Sequence, residues 1–206
     1  MEQLQDPGPQ ISSPPAVDEI DRGRSREYAL LATLLSRSPD ARMIERLALL
    51  GGDASPLGAA HAGLGEAAAR VDEASVAREY FDLFGGLGAS PLLPYASHYL
   101  TGSLYGRPLA RLREALRQLG IESAMGHSEP EDHAAILCEI MAGLVGGEIA
   151  APAGADREFF DKHMARWIRR FFVDLEQAPS TDFYARVGAL GRTFVDVEAE
   201  AFALSS

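Results

Sequence analysis

Seven consecutive residues, His127-Ser128-Glu129-Pro130-Glu131-Asp132-His133, bring three carboxylates and two imidazoles to the entry of an apolar segment. A metal centre requires such ligands to converge. Neither the His-x-x-x-His of a helix-borne zinc site nor the Glu-x-x-His of di-iron bundles occurs here, because Pro130, Phe160 and Tyr95 stand three residues before His133, His163 and His98. His127-x-Glu129 has the form of half a zinc deaminase signature, but its P-C-x-x-C partner needs two cysteines and the chain has only Cys138. No glycine-rich phosphate loop precedes a helix, and no serine or cysteine nucleophile stands at a recognisable spacing from a base. These absences weigh against a metal- or nucleotide-dependent hydrolase built on His127 to His133.

A structural reading accounts for the acids. Ser128 and Glu131 stand at capping-box spacing, which predicts Ser128 as a helix cap with Glu129, Glu131 and Asp132 in the first turn, where negative charge offsets the positive helix end. His133 is left over: a side chain able to change charge near neutral pH, beside Asp132 and directly before apolar sequence.

A second cluster, Glu79-Tyr80-Phe81-Asp82-Leu83-Phe84, runs into a connection from Gly85 to Pro94 that holds several glycines and prolines, then into Tyr95, Ser97, His98 and Tyr99. The connection is longer than usual for a compact domain. Aromatics beside such a loop, with acids at the rim, form the kind of groove that holds an apolar, positively charged peptide. Phe159, Phe160, Trp167, Phe171 and Phe172 are assigned to the core, with Arg166, Arg169 and Arg170 on the wetter side of the same helix.

The elements carrying these clusters read as helices throughout. Tyr28, Leu31, Leu34 and Leu35 make one apolar stripe, and Met43, Leu47 and Leu50 another that stops at Gly51-Gly52. Further helices are predicted over Leu57 to Arg70, Asp72 to Phe84, Tyr95 to Leu104 and Pro108 to Leu119, and then through Ile136, Leu137, Ile140, Met141, Leu144 and Val145 to Gly146-Gly147. Pro108 suits a first turn, where its missing N–H costs nothing, and Gly120 suits a stop. Two long amphipathic segments, Asp156 to Gln177 and Thr181 to Leu204, complete an expected all-α bundle of eight to ten helices in one domain over 17–206. Residues 1–16 are proline-rich and short of apolar groups, and are expected to form a disordered tail.

Charge and length narrow the functions available to such a bundle. The 206 residues carry 19 Lys and Arg against 30 Asp and Glu, a formal net charge of −11, which disfavours sequence-independent binding to nucleic acid or anionic lipid and favours a basic partner. One cysteine permits no intramolecular disulfide, as in a reducing compartment. No secretory h-region and no apolar stretch of about 18 residues is present, so the chain is expected to be cytoplasmic and not inserted in a membrane.

Taken in order, E-Y-F-D-L-F (Glu79 to Phe84), P-Y-x-S-x-Y (Pro94, Tyr95, Ser97, Tyr99), E-P-x-D-H (Glu129, Pro130, Asp132, His133) and Ile140-Met141-Ala142-Gly143-Leu144 resemble the TorD/DmsD/NarJ family of redox-enzyme maturation chaperones. Phe159-Phe160-x-x-His163-Met164-x-x-Trp167 is similar to the family's F-F-x-x-H-L-x-P-W stretch, with Ala165-Arg166 in place of the usual proline. Leu93-Pro94 stands where the family often has two prolines, and the likeness extends from about Tyr28 to Val197.

The resemblance implies an all-helical cytoplasmic chaperone with no cofactor of its own and no catalytic residues. Such a protein binds the twin-arginine leader or the apo form of a molybdopterin oxidoreductase, formate-dehydrogenase-like or DMSO-reductase-like, and holds it for cofactor insertion before export. Carried over residue by residue, it maps leader binding onto Asp132 and His133, with Tyr80, Leu83, Phe84, Pro94 and Tyr95 as apolar contacts; the charge of the segment around Pro130 adds the expectation that Glu129, Glu131 or Asp132 engages the two arginines. The long Gly/Pro loops are compatible with a domain-swapped homodimer without requiring one. The alternative is a helical scaffold or sensor that binds a folded partner and shows no preference for an unfolded leader.

Overall fold

A computed structural model describes residues 18–85, 92–121, 129–179 and 181–204. The expected tail, the Ser128 cap and most of the Gly85 to Pro94 connection lie outside them. Ten α-helices and one π turn make up the regular structure of the described residues: α1 Glu19–Ser36, α2 Ala41–Leu47, α3 Pro56–Ala68, α4 Glu73–Phe84, α5 Ala96–Thr101, α6 Arg107–Gln118, α7 Ala134–Gly146, α8 Ala155–Phe159, the π turn Phe160–Met164, α9 Ile168–Glu176 and α10 Phe183–Leu204. No strand occurs among them, only an isolated antiparallel bridge between Tyr95 and His133.

Local chemistry sets the helix starts. Asp18, Asp40 and Ser55 accept the backbone N–H three residues on, and Asp72 and Ser75 form a reciprocal capping box at the head of α4. Helix α5 ends at Gly102, in the left-handed conformation that glycine adopts without strain, rather than running to Leu104.

The most extensive pairing in the molecule joins α1 to α7, and the next joins α9 to α10, which also packs on α3. Tyr28, Leu31, Leu34 and Leu35 are buried as the stripe on α1 requires. α7 is buried almost all round, as its nearly uninterrupted apolar sequence demands. Gly188 lets α10 lie against the backbone of α9, since a Cβ there would sit 2.3 Å from Glu176 N. One polar group ties three elements: Arg24 of α1 bonds Glu198 of α10 at 2.8 Å and Asp156 of α8 at 3.0 Å. Tyr28 donates to the same Glu198.

The segment from Asp156 to Gln177 is not one helix. It splits into α8, the π turn and α9, with Ala165 to Trp167 outside regular helix. Phe159, Phe160 and Trp167 all reach the core across this break. Trp167 Nε1 donates to the His163 carbonyl at 2.7 Å, satisfying the indole inside the core. Arg166, Arg169 and Arg170 are exposed.

Candidate functional site

The two sequence clusters meet where the segment 92–95 crosses the turn 130–133, which the His133 N–H closes onto the Pro130 carbonyl at 3.0 Å. Ala134 N–H donates to the Pro94 carbonyl at 2.7 Å, and Ala96 N–H to the Asp132 carbonyl at 3.0 Å. Asp132 Oδ2 accepts the Ser97 N–H at 2.8 Å. Tyr95, the residue before α5, offers no side-chain cap, so Asp132 caps α5 from across the crossing. Asp132 is 1% exposed, and its Oδ1 has no described hydrogen-bond partner.

Helix α7 begins after the acids rather than with them. Its cap is His133, whose Nδ1 accepts the Ala135 N–H at 3.1 Å, so the three acids do not occupy a first turn. Among the described residues the side chains of the acids bond to α5, α6 and Tyr95. The hydrogen bond to Nδ1 requires an unprotonated nitrogen there, which places the proton of the neutral ring on Nε2. Burial holds the His133 pKa below its usual value, opposed by Glu129 and Asp132. The imidazole packs edge-on to the Tyr95 ring at 5.1 Å, and Tyr95 OH donates to Glu129. Burial and that bond raise the Tyr95 pKa well above the phenol range.

One face of the crossing borders a groove of about 870 Å³ between α1, α4 and α7. Tyr80, Phe84, Leu92, Pro94, Tyr95 and Ile136 supply its apolar wall, while Glu129, Glu139 and Glu148 stand along it with Arg37. Tyr80 and Phe84 are held by a tilted ring contact with each other at 5.1 Å and by contact with Tyr184.

Six of the nominated residues line this groove: Tyr80, Phe84, Pro94, Tyr95, Glu129 and His133. Leu83, 2% exposed, belongs to the core instead, one residue off the groove-facing side of α4. Glu131 is engaged by Arg113 of α6 at 2.8 Å, and Pro130 and Asp132 do not line the groove. Glu79, the acid of the first motif, holds another element in place. Its carboxylate accepts the N–H groups of Asp182, Phe183 and Tyr184 at the head of α10.

Sequence reasoning misses Glu139 and Glu148. Their signal is present all the same: Glu139 is a lone charge inside an apolar helix, and Glu148 follows the Gly147 stop. Among the described residues no three His, Cys, Asp or Glu side chains are placed to hold a metal ion. Cys138 is buried, and burial pushes its thiol up to about 12, far from a nucleophile's range.

An all-helical bundle whose crossing loops carry an acid-lined apolar groove defines a helical binding protein. The model of the nitrate reductase delta subunit family matches residues 51–173, more than half of the chain. The chain belongs to that family, the group of the TorD, DmsD and NarJ redox-enzyme maturation chaperones. It is similar to the chaperone protein TorD of Vibrio cholerae serotype O1, 28% identical over 129 residues, which cover 58% of this chain and 59% of that protein. TorD of Aliivibrio fischeri is 30% identical over 130 residues, covering 58% and 60% of the two chains. The probable Tat proofreading chaperone DmsD of Haemophilus influenzae is 27% identical over 118 residues, 56% of each chain. The chain thus aligns with about three fifths of the length of the curated relatives named here. A solved structure from Archaeoglobus fulgidus, described as a redox enzyme maturation protein, superposes with a TM-score of 0.54 at 22% identity, covering 84% of this chain and 93% of that one. That likeness concerns the fold, and the all-helical architecture is the one expected from the sequence.

Proposed function

We propose that this protein is a cytoplasmic maturation chaperone that holds the twin-arginine leader, or the apo form, of a molybdopterin oxidoreductase until its cofactor is inserted. The observation carrying the proposal is the groove itself, an apolar wall with three glutamates along it in a chain of net charge −11. A leader joins two adjacent arginines to an apolar stretch. The stretch loses water against Tyr80, Phe84, Leu92, Pro94 and Ile136, while Glu129, Glu139 and Glu148 receive the guanidinium groups. Binding without chemistry suffices, and it requires no cofactor, metal or nucleophile of the chaperone. The relatives' names, TorD and the Tat proofreading chaperone DmsD, support the same client class.

Fluorescence anisotropy with a labelled peptide of two arginines followed by an apolar stretch tests this reading. Saturable binding is expected, weaker for a lysine-for-arginine twin. At up to about fivefold per exposed charge pair, E129Q/E139Q/E148Q should lose about tenfold or more. No binding by the native chain, or equal binding by the triple variant, refutes the assignment.

A further inference from the structure

The other face of the crossing carries the opposite charge. Tyr95 and His133 line the acidic groove, whereas their neighbours Ala96 and Asp132 do not. Ala96 and Asp132 border a second cleft of about 540 Å³ between α5, α6 and the π turn. Leu100, Leu112 and Trp167 give it an apolar lining, and Arg107, Arg111, Lys162 and Arg166 stand exposed around it.

Three features of this cleft lack partners. Arg107, Arg111 and Arg166 form no ion pair with a described carboxylate, whereas Lys162 pairs with Glu158. Glu114, on the same rim, is already engaged by Arg117 and Gln118. α6 begins here with no side-chain cap, at Gly106. Asp132 Oδ1 is buried without a described donor. An occupant therefore needs several carboxylates for the rim and an N–H for the floor.

We propose that this cleft docks an acidic, apolar segment of a client polypeptide. Its carboxylates lie on Arg107, Arg111 and Arg166, its apolar side chains on Leu100, Leu112 and Trp167, and one backbone N–H on Asp132 Oδ1. A polypeptide supplies both kinds of group. A small oxyanion satisfies the arginines but is repelled by the Asp132 carboxylate. The proposal rests on the client-holding reading above, but not on the leader occupying the acidic groove. One client can then be held by oppositely charged segments on the two sides of a single crossing.

The test uses the full chain and a fluorescein-labelled peptide alternating leucine with glutamate. A lysine-for-glutamate twin, inorganic phosphate and a nucleoside triphosphate serve as comparators. The glutamate peptide is expected to bind in a salt-sensitive manner, and R107E/R111E/R166E to weaken it at least about tenfold. The same exposed substitutions should leave the helical circular dichroism unchanged and should not weaken the affinity for the arginine-bearing leader peptide. Equal affinity of native and variant chains, equal binding of the lysine twin, or displacement by phosphate or nucleoside triphosphate overturns the proposal. Absence of leader binding in the native chain refutes the groove assignment while leaving this result readable.

Discussion

Asp132 sits inside the family motif, and its buried carboxylate, bonded to the Ser97 N–H, gives it a positioning role at the head of α5. Asp132→Ala removes the acceptor of the Ser97 N–H and strands that donor in a site where the side chain is 1% exposed. An unsatisfied buried donor costs about 1–3 kcal/mol. A chain of this size loses about 2–4 °C of melting temperature per kcal/mol, so a fall of about 2–12 °C is expected. Asp132→Asn keeps an oxygen for Ser97 and should lie near the native value. Thermal unfolding followed by circular dichroism gives the first quantity. Anisotropy with the arginine-bearing peptide, recorded well below the transition, gives the second, and Asp132→Asn should change that affinity less than about threefold. A loss of about tenfold in the affinity of Asp132→Asn with an unchanged melting temperature would mean that the carboxylate meets the arginines directly, and the positioning argument would be wrong.

Three other outcomes are expected. Glu79→Ala releases three N–H groups at the head of α10, so hydrogen exchange should accelerate at Asp182 to Tyr184 before it does in α7; uniform protection across both would contradict the capping role. Gly188→Ala forces a Cβ to 2.3 Å from the α9 backbone and should cost about 1–3 kcal/mol by denaturant unfolding, with no loss expected only if α9 and α10 separate freely. His133 has a folded pKa below its unfolded value of 6.5, so its contribution to stability is present above that pH and is lost as pH falls through the folded pKa. His133→Asn, which retains a capping oxygen, should therefore show a shallower acid-side decline in melting temperature than the native chain; identical profiles would count against burial of a neutral imidazole. His61, raised by its bond to Glu27, acts with the opposite sign in both proteins and cancels in that comparison.

Helical periodicity carries most of the fold because each helix buries a stripe, and Tyr28 with Leu31 and Leu35 reads the same in sequence and in structure. The failures share a cause. Asp132 and Glu79 look like surface acids in sequence, but each caps a helix that belongs to a different part of the chain, and no local pattern encodes that distance. The Asp156 to Gln177 segment reads as continuous because a π turn changes hydrogen bonding without changing residue type. At the site, residue types indicate an apolar groove with acids. Leu83 and Tyr80 differ by three positions on one helix, and only packing against Tyr184 and the core decides which of them faces out. Glu139 escapes notice because a single acid in an apolar helix is as compatible with a solvent edge as with a binding wall.

The crossing also sets a timetable for biosynthesis. Its two sides come from segments nearly forty residues apart, and the groove is closed by α1 from the beginning of the described chain and α7 from beyond its middle. A nascent chain that has not yet released Ala134 cannot make the bond to Pro94, so it has no groove to offer, whatever its helical content. Competence to bind is therefore acquired abruptly during translation, and N-terminal fragments ending before α7 should be inert toward a client even where their helices have formed.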